Sequence, residues 1–522
     1  MSFSFCRLFV LGTLCLASGA AEARPLVLAV GGEPELGFDP VMGWGLYGSP
    51  LFQATLLRRD AQLDFIGDLA TKWTASADRL VWNVQIRTDA KFSDGTPLTV
   101  EDVAFTYETA RKAGGLVDLS VLDAVRVTGS DTIEFVLKRP QISFLSQMAT
   151  LGIVPAKSYG KDYGRAPVGA GPFRMLEWRQ GEQLVVEPNP YWFGGDIPFE
   201  RVTFVFGSEE TAMALAHSGV ADLVAVPPAR ADVVPAGMAL LNVKSVDNRG
   251  ISFPMVASRE IVGNDGVPVG NDVTADPAIR QAIDRALDRQ QLVDLAVSGH
   301  GRPAYGPADG LPWDNAEARV SDNDPQGARQ LLAAAGWTDQ DGDGVLDRDG
   351  RAARFSLLYP ASDSTRQVLA LGVAQQLHEI GIDAWPEGLS WPELGRRMHS
   401  EAVVFGWGSH DPLEVFNLYH SGRAGIDYLN PGYYANPVVD AHFAQAESAP
   451  DFTSSLDAWK AAQWDGTTGF GSKGDAAWAW LVNIDHPYWV SDCLDLGPLQ
   501  LHPHGHGFPI THDLPSWRWT CE

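Results

Sequence analysis

A strand, an enforced turn and a capped helix follow one another between Leu69 and Tyr107, and this succession constrains the fold more than any other part of the chain. Apolar side chains alternate with mostly polar ones at positions 80 to 87, which is the period of a half-buried strand. The run Ser93–Pro97 predicts a turn, because its glycine tolerates positive φ and its proline fixes φ. Thr99, followed by two acidic residues, predicts the N-cap of a helix. This order indicates a mixed α/β subdomain.

The same mixture of strands and helices continues downstream. Strands are predicted at 174–178, 183–188, 201–206 and 222–225, with a helix over 209–218 before the last of them. Such alternation is typical of α/β domains. Because 522 residues are too many for one hydrophobic core, we expect an α/β protein of two or three domains.

The first residues have the pattern of a secretory signal. Arg7 supplies a positive n-region, Leu8–Leu16 an apolar core and Ala21–Ala23 a cleavage site of the A-x-A kind. Cys15 follows the bulky Leu14, which argues against a lipoprotein. Residues 1–23 are therefore predicted to be a cleavable signal peptide, and the mature protein is expected to be free in the periplasm.

Charge and cysteine content limit the partners and the compartment. A formal net charge of −26 argues against binding nucleic acid or an anionic membrane. Two of the four cysteines lie in the predicted signal, which leaves Cys493 and Cys521 in the mature chain. In an oxidising compartment these two are predicted to form a disulfide that closes a C-terminal loop, and the alternative is two free thiols.

No constellation of side chains predicts catalysis. The sequence has no G-x-S-x-G elbow, no H-E-x-x-H motif and no cysteine pairs spaced for zinc. Asp339–Gly344 resembles the start of a calcium loop, but Gly350 stands where a bidentate glutamate would be needed. We interpret this segment as a β-turn, with calcium binding as the alternative. The protein is therefore not expected to be an enzyme or to carry a resident cofactor.

Alternating histidines near the C-terminus are the one arguable metal signal. His502, His504 and His506 would share one face of an extended segment. With His486 or His410 they could offer imidazole ligands to nickel or zinc. The alternative is a polar connection that binds no metal.

Trp407 and His410 are candidates for contacting a ligand. They stand at and just after the end of an apolar strand that enters a glycine-rich turn, and strand ends of this kind deliver side chains to the cleft of an α/β sheet. Trp44 lies among glycines, where an exposed indole would stack on a ligand. The alternative for Trp44 is a position in the core.

Several motifs together resemble the family 5 extracellular solute-binding proteins, the peptide- and nickel-binding receptors of ABC importers. These motifs are Leu69–Tyr107, Pro167–Phe173, Glu187–Trp192, Ala278–Asp284 and Gly336-Trp337 with the Asp/Gly turn that follows. The resemblance implies a type II periplasmic-binding-protein fold, in which two α/β lobes close on a ligand about a hinge and lobe I carries an extra subdomain. The implied division places lobe I at 24–68, 166–247 and 485–522, its subdomain at 69–165 and lobe II at 248–484.

The resemblance also implies a binding function without catalysis. The receptor is expected to capture a peptide, or a nickel or other metal chelate, between its lobes and to deliver it as a monomer to the permease subunits of an ABC importer. Dipeptide-binding relatives hold the ammonium group of the peptide with an aspartate in the turn where this chain has Ser409-His410. A nickel-binding relative has an arginine in the segment that is Gly152–Pro155 here. The cleft departs from both patterns, and the candidate ligand contacts are Trp44, Trp407, His410 and Arg423.

Two functions of other classes stay open from the sequence. One is a secreted hydrolase that acts on peptides, and the other is a chaperone-like peptide binder that meets no permease. Tight, stoichiometric binding of one small ligand without turnover would separate the receptor from both.

Overall fold

The computed structural model describes residues 25–262 and 266–521. The predicted signal peptide, residues 1–23, lies outside the described residues. Across the described part of the chain, no helix combines the length and the apolar character that crossing a bilayer requires.

Lobe I is built on a mixed sheet of seven strands. In spatial order they are Met238–Val243, His486–Ser491, Leu223–Ala225, Leu26–Ala29, Val202–Val205, Gln183–Pro188 and Phe173–Arg179. The strand Leu26–Ala29 is parallel to both neighbours, whereas His486–Ser491 is antiparallel to the strands on its two sides. Strands from both ends of the chain therefore make one sheet.

Lobe II has a mixed sheet of six strands. In spatial order they are Gly301–Pro303, Trp478–Ile484, Asn248–Ser252, Ala402–Trp407, Arg354–Pro360 and Asp383–Leu389. Every residue of Asn248–Ser252 is buried, as expected for a central strand covered on both faces. The chain enters this sheet after Val243 and leaves it between Ile484 and His486.

The subdomain has a four-stranded antiparallel sheet of Ala70–Ala75, Val81–Ile86, Thr132–Leu137 and Leu122–Val127. Along the second strand, buried side chains at 82, 84 and 86 alternate with exposed ones at 83 and 85. The helix Val100–Ala113 begins at Thr99, whose side chain forms a capping box with Asp102. The predicted succession of strand, turn and capped helix is therefore confirmed.

Helices cover the sheets and bury their apolar faces against them. In chain order the α-helices of the described residues are Val100–Ala113, Phe144–Thr150, Glu209–His217, Pro277–Ala286, Arg289–Val297, Pro325–Ala334, Ser364–His378, Trp391–Arg397, Leu413–Tyr419, Pro437–Glu447 and Phe452–Gln463. The apolar residues that the sequence spaces helically, such as Ile279 and Ile283, are fully buried in lobe II. Each lobe and the subdomain thus has its own core.

The C-terminal tail returns to lobe I and runs beside the crossing between the lobes. Ser245, in the crossing segment, forms a parallel bridge with His502. A disulfide joins Cys493 to Cys521 with an S–S distance of 2.04 Å, so the tail lies within a covalently closed loop.

Candidate ligand-binding cleft

A cavity of about 1040 Å³ lies between the lobes and continues along the junction of lobe I with its subdomain. Lobe I contributes the segment Gly45–Pro50, the subdomain contributes Gln147, and lobe II contributes Trp407, His410 and their neighbours. Sites for small molecules occupy roughly 300–1,000 Å³. The cavity is therefore large enough for a ligand well beyond the size of one amino acid.

Part of the lobe II wall of the cavity is formed by the turn Gly408–Pro412, through Ser409, His410 and Asp411. Gly408 has φ +146°, and a Cβ atom there would lie 2.3 Å from the carbonyl oxygen of Val246, so only glycine fits. The backbone N–H groups of Gly408 and Ser409 donate to the carboxylate of Glu414 at 3.1 and 3.3 Å. The turn is therefore fixed between a strand and a helix, and its side chains are held in place at the cavity.

Two half-buried carboxylates, Asp411 in this turn and Glu414 just after it, line the cavity. Asp411 accepts hydrogen bonds from the Leu413 N–H and from Gln147 Nε2, both at 2.9 Å. Burial raises the pKa of Asp411 to about 6 and that of Glu414 to about 8. Within residues 25–262 and 266–521, neither carboxylate has a cation at ion-pair distance. Sequence reasoning missed Glu414, although an acidic residue in the first turn of a helix after a glycine turn is a usable signal.

His410 lines the cavity, as predicted from its place after the strand. Its Nε2–H donates to the carbonyl oxygen of Leu501 at 2.7 Å, which leaves Nδ1 as the acceptor of the ring. Burial, helped by the charge of Arg59, lowers the pKa of His410 to about 3, so the ring stays neutral. Trp407 also lines the cavity, and its buried Nε1–H has no hydrogen-bond partner among the described residues.

Arg59 joins lobe I to the lobe II turn. Its guanidinium donates to the carbonyl oxygens of His410 at 2.6 Å and Leu63 at 2.7 Å and lies over the ring of Phe65 at 3.9 Å. Because Gln147 and Asp411 also meet across the lobes, the two sides of the cavity are in direct contact. Sequence reasoning missed Arg59, and nothing in its local pattern distinguishes it from a surface cation.

Trp44 requires a correction. It is 8% exposed, packs edge-on against Phe38 and Phe508, and donates its Nε1–H to the carbonyl oxygen of Pro50 at 2.7 Å. The indole therefore belongs to the lobe I core and does not line the cavity, and the nearby Tyr47 does. The indole of Trp44 is not available for stacking on a ligand, because Phe508, which is distant in sequence, covers it.

Arg423 lies at the rim and does not line the cavity. Its guanidinium is 3.4 Å from the carboxylate of Asp118, a residue of the subdomain that does line it, and lies 5.4 Å from the ring centre of Phe416. In this conformation Arg423 links the lobes at the edge of the cleft.

The four C-terminal histidines gather near the crossing segment but do not converge on one point. His486 Nδ1 is 3.1 Å from His502 Nδ1, while His486 Nε2 and His504 Nδ1 both face the carboxylate of Asp247. His506 is exposed, with its ring 4.7 Å from that of His504. Burial opposes ionisation of Asp247, but the charges of Arg249 and His504 outweigh it and hold the pKa of this carboxyl well below its usual range.

This arrangement corrects the predicted metal ligand set of His486, His502, His504 and His506. In the described ranges, the one group of three or more possible ligands whose atoms lie within 4.8 Å of one another is Asp339, Asp341 and Asp347. Buried His502 has a pKa well below the usual value, because burial and then His486 disfavour its charge. His486, His502 and His504 thus act here as hydrogen-bonding groups of the crossing region.

The acidic segment forms a turn between Thr338 and Asp347, which pair as an isolated bridge. Asp339 accepts hydrogen bonds from the N–H groups of Gly342 and Gly344 at 2.7 and 3.1 Å. The segment between Thr338 and Asp347 is therefore a loop of bends and is longer than the predicted β-turn, and it brings together the three exposed or half-exposed carboxylates just named.

Comparison with known proteins identifies the family. The model of the bacterial extracellular solute-binding proteins, family 5 (middle), matches residues 64–426. Protein XP55 of Streptomyces lividans is 32% identical over 497 residues, which cover 91% of this chain and 86% of that protein. Oligopeptide-binding protein AppA of Bacillus subtilis (strain 168) is 27% identical over 482 residues, covering 84% and 86%.

Solved structures have the same fold. AppA from Bacillus subtilis in complex with a nonapeptide superposes with a TM-score of 0.70 at 24% identity, over 95% of this chain and 99% of that one. NikZ from Campylobacter jejuni in complex with Ni(L-His) superposes with a TM-score of 0.76 at 20% identity, over 94% and 99%. These likenesses confirm the type II periplasmic-binding-protein fold. With the family model matching more than half of its length, this chain belongs to family 5 of the bacterial extracellular solute-binding proteins.

Proposed function

We propose that the protein is the periplasmic receptor of an ABC importer, which encloses a peptide between its lobes and delivers it to a membrane permease without catalysis. The observation that carries the proposal is the cavity of about 1040 Å³, which is walled by both lobes and exceeds what a single amino acid needs. The resemblance to AppA, whose structure holds a nonapeptide, supports a peptide as the ligand.

The charges of the cleft favour a peptide with a free ammonium group. Asp411 and Glu414 are half-buried at the cavity wall, and desolvation raises the pKa of both. Desolvation makes an ionised carboxylate unfavourable here, and although the charge of Arg59 favours ionised Asp411, a positively charged group of the ligand would offset more of that cost. The neutral His410, with Nδ1 as acceptor, adds a site for an N–H donor of the ligand.

A metal chelate is the second candidate ligand. His410 supports it, because an imidazole whose Nε2–H donates to a backbone carbonyl presents Nδ1 in the manner of a metal-binding histidine. The described carboxylates and imidazoles at the cleft do not form a complete ligand set, so the chelator would have to supply the remaining donors.

Mass spectrometry of the ligand that co-purifies from the periplasm, with metal analysis of the same sample, tests the proposal directly. After unfolding and refolding to remove this ligand, calorimetry should measure binding of peptide pools, of the same pools with acetylated N-termini, and of nickel–histidine. We expect one-to-one binding of peptides with free N-termini and binding at least about tenfold weaker after acetylation, since a hydrogen bond to a charged group contributes about 1.5–3 kcal/mol.

Matched variants test whether the ligand binds in the cleft. Asp411→Asn and Glu414→Gln keep the shape of the side chains but cannot ionise to balance an ammonium group, so they should weaken the binding of free-amine peptides and leave the acetylated pool unchanged. Glu401→Gln makes the same change in lobe II away from the cavity lining and should have no effect. Binding of nickel–histidine alone would favour the chelate, while peptide turnover, or no binding in any arm, would refute the proposal.

A further inference from the structure

One residue of lobe II makes three hydrogen bonds to the subdomain of lobe I. The carboxylate of Glu447 accepts from the Ser143 hydroxyl at 2.7 Å and from the Ser143 N–H at 3.1 Å. The carbonyl oxygen of Glu447 accepts from the Ile142 N–H at 2.9 Å. Ser143 precedes the helix Phe144–Thr150, and Glu447 ends the helix Pro437–Glu447, so the contact joins two rigid elements of different lobes.

The contact lies beside the ligand cavity without being part of its lining. The helix that starts at Ser143 also carries Gln147, which donates to Asp411 at 2.9 Å in the lobe II turn. Formation of the Glu447 contact therefore accompanies the meeting of the two cavity walls. A change at Glu447 can alter lobe closure without removing a group that touches the ligand.

Glu447 is an acidic side chain with an unusual environment for an interface that must open. It is 3% exposed, and within the described residues no cation lies at ion-pair distance from it. The charged groups that face it are Asp411, which disfavours its ionisation, and Arg139, which favours it. Burial, opposed by the two hydrogen bonds from Ser143, raises the pKa of Glu447 from 4.5 to about 7.

We propose that Glu447 is a proton-dependent latch for lobe closure: the lobes close with Glu447 protonated, and closure becomes less favourable as Glu447 ionises. The inference rests on the proposed function only in that closure is the step that traps the ligand. When Glu447 is protonated, its O–H can donate to the Ser143 hydroxyl while its other oxygen still accepts from the Ser143 N–H. The ionised form keeps two acceptors but must lose its hydration at the interface.

The sign and size of the effect follow from linkage. In an open form we expect the Glu447 side chain to meet water with the ordinary pKa of 4.5, whereas in the present conformation the pKa is about 7. Closure therefore takes up a proton between these two values, and the equilibrium constant for closure falls as the pH rises. From pH 5.5 to pH 8 the contribution of Glu447 amounts to a decrease of roughly 25- to 30-fold.

Glu447→Gln isolates this contribution, because the amide keeps both hydrogen bonds to Ser143 and cannot ionise. Spin labels on cysteines introduced at the exposed positions Lys112 and Gln330, one in the subdomain and one in lobe II, report closure by double electron–electron resonance without any ligand. The native Cys493 and Cys521 are joined to each other and do not compete for the label. The quantity to compare is the ratio of the closure constants of Glu447→Gln and wild type at each pH, since titrating groups that do not interact with Glu447 cancel in it.

We expect this ratio to rise roughly 25- to 30-fold between pH 5.5 and pH 8. Glu401→Gln is the matched control: burial also raises the pKa of Glu401, but its partner Ser356 lies in the same lobe, so its ratio should stay constant. A ratio for Glu447→Gln that changes less than twofold, a ratio that falls, or a distance distribution that shows no closed form at any pH would overturn the latch. Because no peptide is used, failure of the peptide proposal leaves this measurement interpretable.

Discussion

The disulfide between Cys493 and Cys521 leads to a quantitative prediction for the stability of lobe I. The bond closes a loop with a sequence separation of 28 and holds the C-terminal tail on the lobe I core. If the bond acts by restricting the unfolded chain, the entropy formula gives ΔS of about −12 cal/mol/K for a loop of this length, or about 3.6 kcal/mol at 25 °C.

The perturbation is the double substitution Cys493→Ser and Cys521→Ser, with reduced wild type as the matched control. Equilibrium unfolding in urea, followed by tryptophan fluorescence and circular dichroism, measures the change. With a slope of about 1–3 kcal/mol/M, the midpoint of the lobe I transition should fall by roughly 1–4 M. Reduced wild type should behave like the serine variant, because both lack the same covalent constraint.

A midpoint that moves by less than about 0.3 M in both proteins would refute the reasoning. That result would mean that residual structure already restricts the unfolded ensemble, or that the bond adds native-state strain of similar size.

Four further outcomes are expected. Trp44→Ala should destabilise lobe I by about 3–5 kcal/mol in urea unfolding and leave the peptide affinity of the folded protein unchanged, so a selective loss of affinity would contradict its core position. Trp407→Ala and His410→Ala should weaken binding of the co-purified ligand in calorimetry without unfolding the protein, and unchanged affinity in both would remove them from the site. The native pKa of Glu414 is about 8, against 4.5 in the unfolded chain, so its contribution to stability is greatest below pH 4.5 and falls as the pH rises to 8. Glu414→Gln should flatten this part of the plot of Tm against pH, and an identical slope would argue against the raised pKa. EDTA should leave Tm unchanged, because hydrogen bonds from Gly342 and Gly344 already hold the Asp339 turn, and a large rise of Tm with calcium would show that the turn is a calcium site.

Local pattern predicted the secondary structure of the subdomain well. The alternation along Val81–Ile86 and the capped helix at Thr99 depend on residues within a few positions of each other, so they can be recognised without the rest of the chain. The place of Trp407 and His410 at the cavity could also be predicted, because a strand that ends in glycine exposes the next side chains at the sheet edge.

The failures concern contacts between distant segments. Trp44 among glycines has the same local sequence whether or not Phe508 covers it, and only the folded lobe decides. The alternation of His502, His504 and His506 implied one face only if the segment were a regular strand. It is not one, so His502 meets His486, His504 meets Asp247 and His506 is exposed. Arg59 donates a hydrogen bond to His410 in the other lobe, and a contact between segments so far apart cannot be predicted from the residues around Arg59.

The order of strands in the lobe I sheet has a consequence for how the protein folds. His486–Ser491 lies between Leu223–Ala225 and Met238–Val243 and forms hydrogen bonds to both, yet the whole of lobe II separates it from them along the chain. Lobe II, from Asn248 to Ile484, is one continuous stretch and can fold as soon as it is made. The lobe I sheet is complete only after His486–Ser491 has paired with its two neighbours, and such non-local pairing forms slowly. Removal of residues 486–522, which takes away His486–Ser491 and spares the lobe II strand Trp478–Ile484, should therefore leave lobe II folded and lobe I unfolded.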